Sequence, residues 1–164
     1  MITCKFEDGG DAALRHAAAD ALAVNDQGQV LLTKRGLTIS RPGKYALPGG
    51  YVDRDEDVYS AVIRELREET GYIGKVEYLF TINDNTNFES RKDDRQVIAM
   101  TFVVKILSGD KTPNEEVSEI RWFDEADLPD EEDFAFDHRS IIMKYFEHTR
   151  SPLKLPLFSK EILS

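Results

Sequence analysis

The sequence predicts an α/β protein in which a mixed sheet lies between helices. Three observations point there. Strand-length runs of apolar residues flank one amphipathic helix, a second amphipathic helix follows at 140–148, and glycine, asparagine or proline punctuates the intervals. With 164 residues the chain has the length of one domain with a single sizeable core; 1–16 reads as an amino-terminal extension and 151–164 as a tail.

Residues 1–16 are mixed, with a short strand at 2–6 and a turn through Gly9-Gly10. The alanine-rich run 17–24 reads as a strand, Asn25-Asp26-Gln27-Gly28 as a turn, and 29–34 as its hairpin partner. A loop over 36–44 and a short strand at 45–47 lead into Pro48-Gly49-Gly50. The helix is expected over 58–70, capped by Asp55 or Asp57, whose short oxygen-bearing side chain satisfies a free N–H, and ended by Gly71 in the left-handed conformation. On a 3.6-residue wheel Tyr59, Val62, Ile63 and Leu66 form its core face, with Val58 and Ala61 on the shoulder. Beyond it, 75–82 alternates as a strand, 83–94 is a polar loop long enough to serve function, 96–106 is a long strand, 108–114 a turn and 117–123 a strand ending in Trp122-Phe123. Asp124 or Pro129 opens a connector, and Asp137 caps the last helix, whose Ile141, Ile142, Tyr145 and Phe146 face the core. The tail, with Pro152 and Pro156, reads as an extended arm or a dimer contact.

Composition narrows the function classes. Hydrophobic residues at 41% and charged residues at 32% describe an ordinary globular chain, with no apolar run near the ~20 residues of a membrane span and no signal-peptide pattern, so a cytoplasmic protein is expected. Cys4 stands alone, which excludes an internal disulfide and a cysteine metal site. The net charge of −10 argues against binding nucleic acid or anionic membrane, both of which need Lys and Arg against phosphate.

The chemistry is concentrated in 50–72. Glu65, Glu68 and Glu69 stand at i, i+3 and i+4, their Cβ atoms roughly 5–6 Å apart on a stripe bordering the apolar face. Two like charges at 4 Å cost about 1 kcal/mol in water and about 4 kcal/mol at an effective dielectric of 20, so something positive must compensate. Arg64 and Arg67 can do this on a solvated helix face. A hard divalent cation, which takes carboxylate, water and phosphate oxygens, also accounts for the acids lying beside the apolar stripe and for the glycine turn and Glu56 ahead of them.

Gly50, five residues, Glu56, seven residues, Arg64-Glu65-Leu66, one residue, Glu68-Glu69, one residue and Gly71 resembles the signature box of the Nudix hydrolases; Tyr72 stands where an aliphatic residue is usual. The order of elements over 17–148 resembles the Nudix α/β/α sandwich with a mixed central sheet. The resemblance implies hydrolysis of a nucleoside diphosphate derivative, a small-molecule substrate, with Mg²⁺ or Mn²⁺, and is compatible with a homodimer. Carried over by position, Glu65, Glu68, Glu69 and the Gly49 carbonyl bind metal, Arg64 orients the acids by salt bridging, and Gly50, Glu56 and Gly71 support the helix. The general base stays open among Glu65, Glu69, Glu115 and Glu116.

For the substrate, Arg35 at the end of its strand and Arg91, Lys92 and Arg95 in the polar loop either contact phosphate or are solvated, and Phe88 either stacks on a base or staples the loop. Phe134, Phe136, Asp137 and His138, with the Leu47-to-Asp53 lead-in, resemble segments of Nudix proteins acting on ADP-ribose and related compounds, although the proline often found some fifteen residues past the box is absent. The alternatives are a nucleoside triphosphate pyrophosphatase and a non-catalytic nucleotide sensor. The intact acids, and the lack of a basic segment after Arg150, favour an enzyme.

Overall fold

The computed structural model describes residues 2–86 and 96–164. Its elements are β1 (Ile2–Lys5), β2 (Asp11–Leu14), β3 (His16–Val24), β4 (Val30–Arg35), β5 (Tyr45–Ala46), β6 (Gly49–Tyr51), α1 (Val58–Thr70), β7 (Tyr72–Asn83), β8 (Val97–Gly109), β9 (Val117–Phe123), α2 (His138–Arg150), β10 (Leu157–Phe158) and α3 (Ser159–Ile162). The sheet runs β10-β7-β8-β3-β4-β5, with β6 added on β3 and β9 on β4. It is mixed, because β3 and β8 are parallel while β7 and β8 are antiparallel. No described helix is long and apolar enough to cross a membrane.

Alternation along β3 sorts the two helices to opposite faces. Ala19, Ala21 and Ala23 pack with Ala61, Val62 and Leu66 of α1, whereas Leu22 packs with Ile141, Ile142 and Tyr145 of α2. The alanines that weaken 17–24 as an isolated strand leave room for α1 to lie close to the sheet. The expected hairpin is only a corner. β3 and β4 share the single register pair Val24↔Val30; β3 then pairs along its whole length with β8, and β4 with β9. The longer ladders satisfy more backbone groups than a two-strand hairpin could.

Four other expectations change. A strand, β2, pairs with β1 where the sequence suggests only a turn and mixed residues. The buried stripe of α1 is Ala61, Val62, Leu66, Glu69 and Thr70, while Tyr59 is 55% exposed. Its ring stays outside and packs against Phe102, tilted by 48° with ring centres 5.2 Å apart. Asp137 precedes α2, but makes no side-chain cap there; its Oδ2 accepts from Asn83 Nδ2 at 3.0 Å. The tail is not an extended arm: β10 joins β7 in parallel, and Leu157 and Ile162 are buried in the α2-side core. A two-residue strand carries no periodic signal, so only packing reveals it.

The bounds of α1 follow from local chemistry. Asp57 accepts from Ser60 N–H at 2.8 Å, and Gly71, at φ 77°, donates its N–H to Arg67 C=O at 2.9 Å. A Cβ at position 71 would also collide with the Asp110 carbonyl. Gly71→Ala is therefore expected to cost about 1–3 kcal/mol. Urea denaturation should show a lower midpoint with an unchanged slope, and turnover per folded molecule should hold.

Candidate active site

The turn between β5 and α1 brings backbone onto the carboxylate face of the helix. β6 is held on β3 by pairing Gly49, Gly50 and Tyr51 with Asp20, Ala19 and Ala18. Gly50 then stands so close to Glu65 that any Cβ would collide with its carboxylate, and Gly49 N–H donates to Glu69 Oε2 at 3.3 Å.

Arg64 is the hub of the acids. Its guanidinium donates to Glu56 Oε2 at 3.1 Å and Oε1 at 2.6 Å, to Glu65 Oε1 at 2.8 Å, to Glu68 Oε2 at 3.2 Å and to Tyr51 C=O at 3.1 Å. These charge-assisted bonds, Arg64 first, hold the Glu56 carboxyl below the usual range and raise Arg64 itself. Glu68 is 57% exposed. Glu65 titrates higher than normal, chiefly because burial disfavours its charge. Glu69 is only 7% exposed, and burial, then the neighbouring Glu65 charge, push it up to about 8.

Of these acids, Glu65 and Glu69 line a cleft of about 880 Å³, which Arg35, Glu116, Asp20 and His138 also line. A volume of that size takes a drug-sized or nucleotide-sized ligand. Glu116 arrives because Gly36 N–H donates to its carbonyl at 2.7 Å, and both Glu115 and Glu116 face Glu65, Glu68 and Glu69 across a second depression. Arg35 comes from the end of β4. Its Nε donates to Ser40 C=O at 2.6 Å, its guanidinium lies 5.3 Å from the Phe136 ring centre, and burial lowers its pKa below the usual arginine value. Phe88, Arg91, Lys92 and Arg95 lie outside the described residues.

Among the described residues, no three His, Cys, Asp or Glu side chains are gathered tightly enough to hold a metal ion as they stand. Arg64 holds Glu65 and Glu68, and Glu69 is turned to Gly49. The donor chemistry nevertheless suits a hard cation: the side-chain donors are all carboxylates, Glu65 and Glu69 line the cleft with Glu68 beside them in the adjoining depression, and Gly49 lines the same cleft with a backbone carbonyl to offer.

Sequence reasoning named Arg35, Phe136 and His138 among the cleft-lining residues but missed Asp20, Asn83 and Arg41. Asp20 is 7% exposed, a lone carboxylate in an alanine run, and that oddity was its available signal. Asn83, at the end of β7, gave none. Arg41 and Phe136, both cleft-lining, adopt left-handed backbone at φ 59° and 58°, a conformation that collects at functional sites.

The sequence model of the NUDIX domain matches residues 14–145, which is most of the chain. The chain belongs to the Nudix family. It is 35% identical over 128 residues to an ADP-ribose pyrophosphatase of Methanocaldococcus jannaschii, covering 78% of this chain and 71% of that protein. It is 31% identical over 115 residues to the nucleoside triphosphatase NudI of Klebsiella pneumoniae, covering 64% of this chain and 79% of that protein. Among solved structures, a Nudix hydrolase from Nitrosomonas europaea superposes with a TM-score of 0.77 at 20% identity, over 96% of this chain and 91% of that one. This Nudix hydrolase is thus a pyrophosphohydrolase with the α/β/α sandwich of its family, whose members generally use a divalent cation such as Mg²⁺ or Mn²⁺.

Proposed function

We propose that this Nudix enzyme hydrolyses the pyrophosphate bond of ADP-ribose or a related NAD-derived or sugar nucleotide by attack of water on phosphorus, with Mg²⁺ or Mn²⁺ held by Glu65, Glu68, Glu69 and the Gly49 carbonyl. The observation that carries this reading is one cleft lined both by the carboxylates of Glu65, Glu69 and Glu116 and by Arg35. The 35% identity to a protein named ADP-ribose pyrophosphatase supports this substrate class.

A bound divalent cation would neutralise pyrophosphate oxygens and lower the pKa of its water. The chain's own residues do the rest. Arg64, tied to four oxygens of Glu56, Glu65 and Glu68, keeps the acids on one side of the helix. Arg35 meets a phosphate with its planar fork. The proton of the attacking water goes to one of the carboxylates gathered there: Glu65 or Glu69, or Glu115 or Glu116 from the 110–116 segment, of which Glu116 lines the cleft and is not clasped by Arg64. Arg95 and Phe88 complete the substrate contacts in this proposal.

The reading is tested by following phosphate-containing products from ADP-ribose, other sugar nucleotides, dinucleoside polyphosphates and nucleoside triphosphates, with Mg²⁺, with Mn²⁺ and with EDTA. Metal-dependent conversion of ADP-ribose to AMP and ribose phosphate is the expected result. The similarity to NudI favours nucleoside triphosphates as the second reading, and preference for them over ADP-ribose would replace the first. Binding without cleavage of any compound would make the chain a sensor. Arg35→Ala is expected to raise KM about tenfold, roughly 1.4 kcal/mol of binding, with a smaller change in kcat. Steady-state kinetics on the preferred substrate check this.

A further inference from the structure

The Leu47-Pro48-Gly49 turn is gripped from three elements at once. Pro48 C=O accepts from Ala21 N–H of β3 at 2.7 Å, and Gly49 N–H reaches Glu69 of α1. The third grip is Leu47 N–H, which donates to His138 Nδ1 at 2.9 Å inside the protein. His138 is the first residue of α2 and is 7% exposed. A backbone amide can only donate, so Nδ1 there carries a lone pair and the ring proton sits on Nε2. That nitrogen lies 3.9 Å from Asp20 Oδ2, beside β6. The helix start that carries His138 is itself tied down: Asp137 Oδ2 accepts from Asn83 Nδ2 at 3.0 Å, and Asn83 Oδ1 lies 3.0 Å from the Ser159 hydroxyl of α3.

We infer that His138 is a positioning residue: by accepting the Leu47 N–H at Nδ1 it sets where the Gly49 backbone stands against Glu69. This rests on the hydrolase reading, because the turn matters to turnover only if Gly49 and Glu69 belong to the reaction site. The physical reason is satisfaction. A buried N–H without an acceptor is costly, so losing Nδ1 makes the turn move until Leu47 finds another partner. Gly49 moves with it, since only Pro48 separates them. His138 in this role touches neither substrate nor metal.

Two substitutions separate the ring nitrogens. Asn places its Oδ1 where Nδ1 stands and keeps the acceptor; Gln places its amide near Nε2 and leaves the Nδ1 position empty. His138→Leu removes both. Three readouts are needed: hydrogen exchange of the Leu47 amide in the metal-free protein, Mn²⁺ binding by titration with the metal alone, and kcat and KM on the preferred substrate. Expected are a protected Leu47 amide, near-wild-type Mn²⁺ affinity and near-wild-type kcat in His138→Asn. In His138→Gln and His138→Leu the amide should exchange faster, with Mn²⁺ affinity and kcat down about 10–100-fold and KM little changed.

The opposite order, with Gln active and Asn inactive, would overturn the inference and place Nε2 on the ligand. Equal behaviour of all three variants and the wild type would also overturn it. So would loss of Mn²⁺ binding in His138→Asn while its Leu47 amide stays protected. If the wild type cleaves nothing on the panel, the hydrolase reading fails separately, and amide exchange with Mn²⁺ affinity still decides for or against the positioning role by the same ranking.

Discussion

Glu69→Gln is expected to lower kcat by about 10²–10⁴-fold while making the metal-free protein more stable at alkaline pH. The two effects have one origin. Burial holds the Glu69 carboxyl up to about 8, against 4.5 for an exposed glutamate. Between those values the folded state binds a proton that the unfolded state has released. Stability in EDTA therefore falls as pH rises through that window and is lowest above it. A tenfold change in proton affinity corresponds to about 1.4 kcal/mol, so the penalty is on the order of a few kcal/mol. Gln keeps the shape and an oxygen for the Gly49 N–H, and carries no charge to desolvate. Melting in EDTA should give matching Tm values for the two proteins at pH ~4, below both values, and, at pH ~8.5, a Tm for Glu69→Gln higher by roughly 5–10 °C. Adding Mg²⁺ at pH 8.5 should raise the wild-type Tm and leave the variant nearly unmoved. A folded Glu69→Gln protein with wild-type turnover would remove Glu69 from the reaction. Equal Tm values at pH 8.5 would show that its carboxyl is not held neutral in the fold.

Arg64→Ala should produce the largest loss of stability among single changes at the site. The guanidinium serves Glu56, Glu65, Glu68 and the Tyr51 carbonyl, and its side chain is 29% exposed, so removing it leaves three neighbouring carboxylates uncompensated. Partial burial puts the cost at about 2–4 kcal/mol, below that of breaking a fully buried pair. The corresponding fall in Tm is roughly 5–15 °C in EDTA. Mg²⁺ should recover part of it, because a cation among the acids relieves the same repulsion. Arg64→Lys should recover less than half, since one ammonium cannot span acceptors that a planar five-donor fork reaches together. Thermal melts of the three proteins with and without Mg²⁺ test this; an Arg64→Ala protein melting within a degree of the wild type in EDTA would show that the acids do not depend on the arginine.

The parts of the chain legible in advance are those whose causes lie within a few residues. Helix α1 begins after Asp57 and ends before Gly71 because a cap and a left-handed residue act locally. The 117–123 strand, ending in Trp122-Phe123, has the bounds the sequence predicts. The neighbours of Glu65, Glu68 and Glu69 are set by helical geometry alone, so their crowding was readable, as was the need for positive charge. What the local pattern mis-stated was which residues of α1 enter the core: the wheel gives a face, but the closeness of the alanine side of β3 decides that Glu69 is buried and Tyr59 is left outside. The tail was illegible for a related reason, because β10 exists only where β7 offers it a free edge.

The rest of the cleft lining depends on pairings between residues far apart in the chain. Asp20 reaches the site because β6 lies on β3, Glu116 because its carbonyl takes the Gly36 N–H, and His138 because its ring accepts from Leu47, 91 positions away. The sequence by itself determined the helix, its row of carboxylates with Arg64 among them, and the glycine turn before it, since bonds and contacts within one or two turns need no other part of the chain. Only the tertiary structure decided how far Glu69 is desolvated, which groups face it, and what holds the turn in place, because burial and long-range hydrogen bonds exist only once the sheet has closed between its helices.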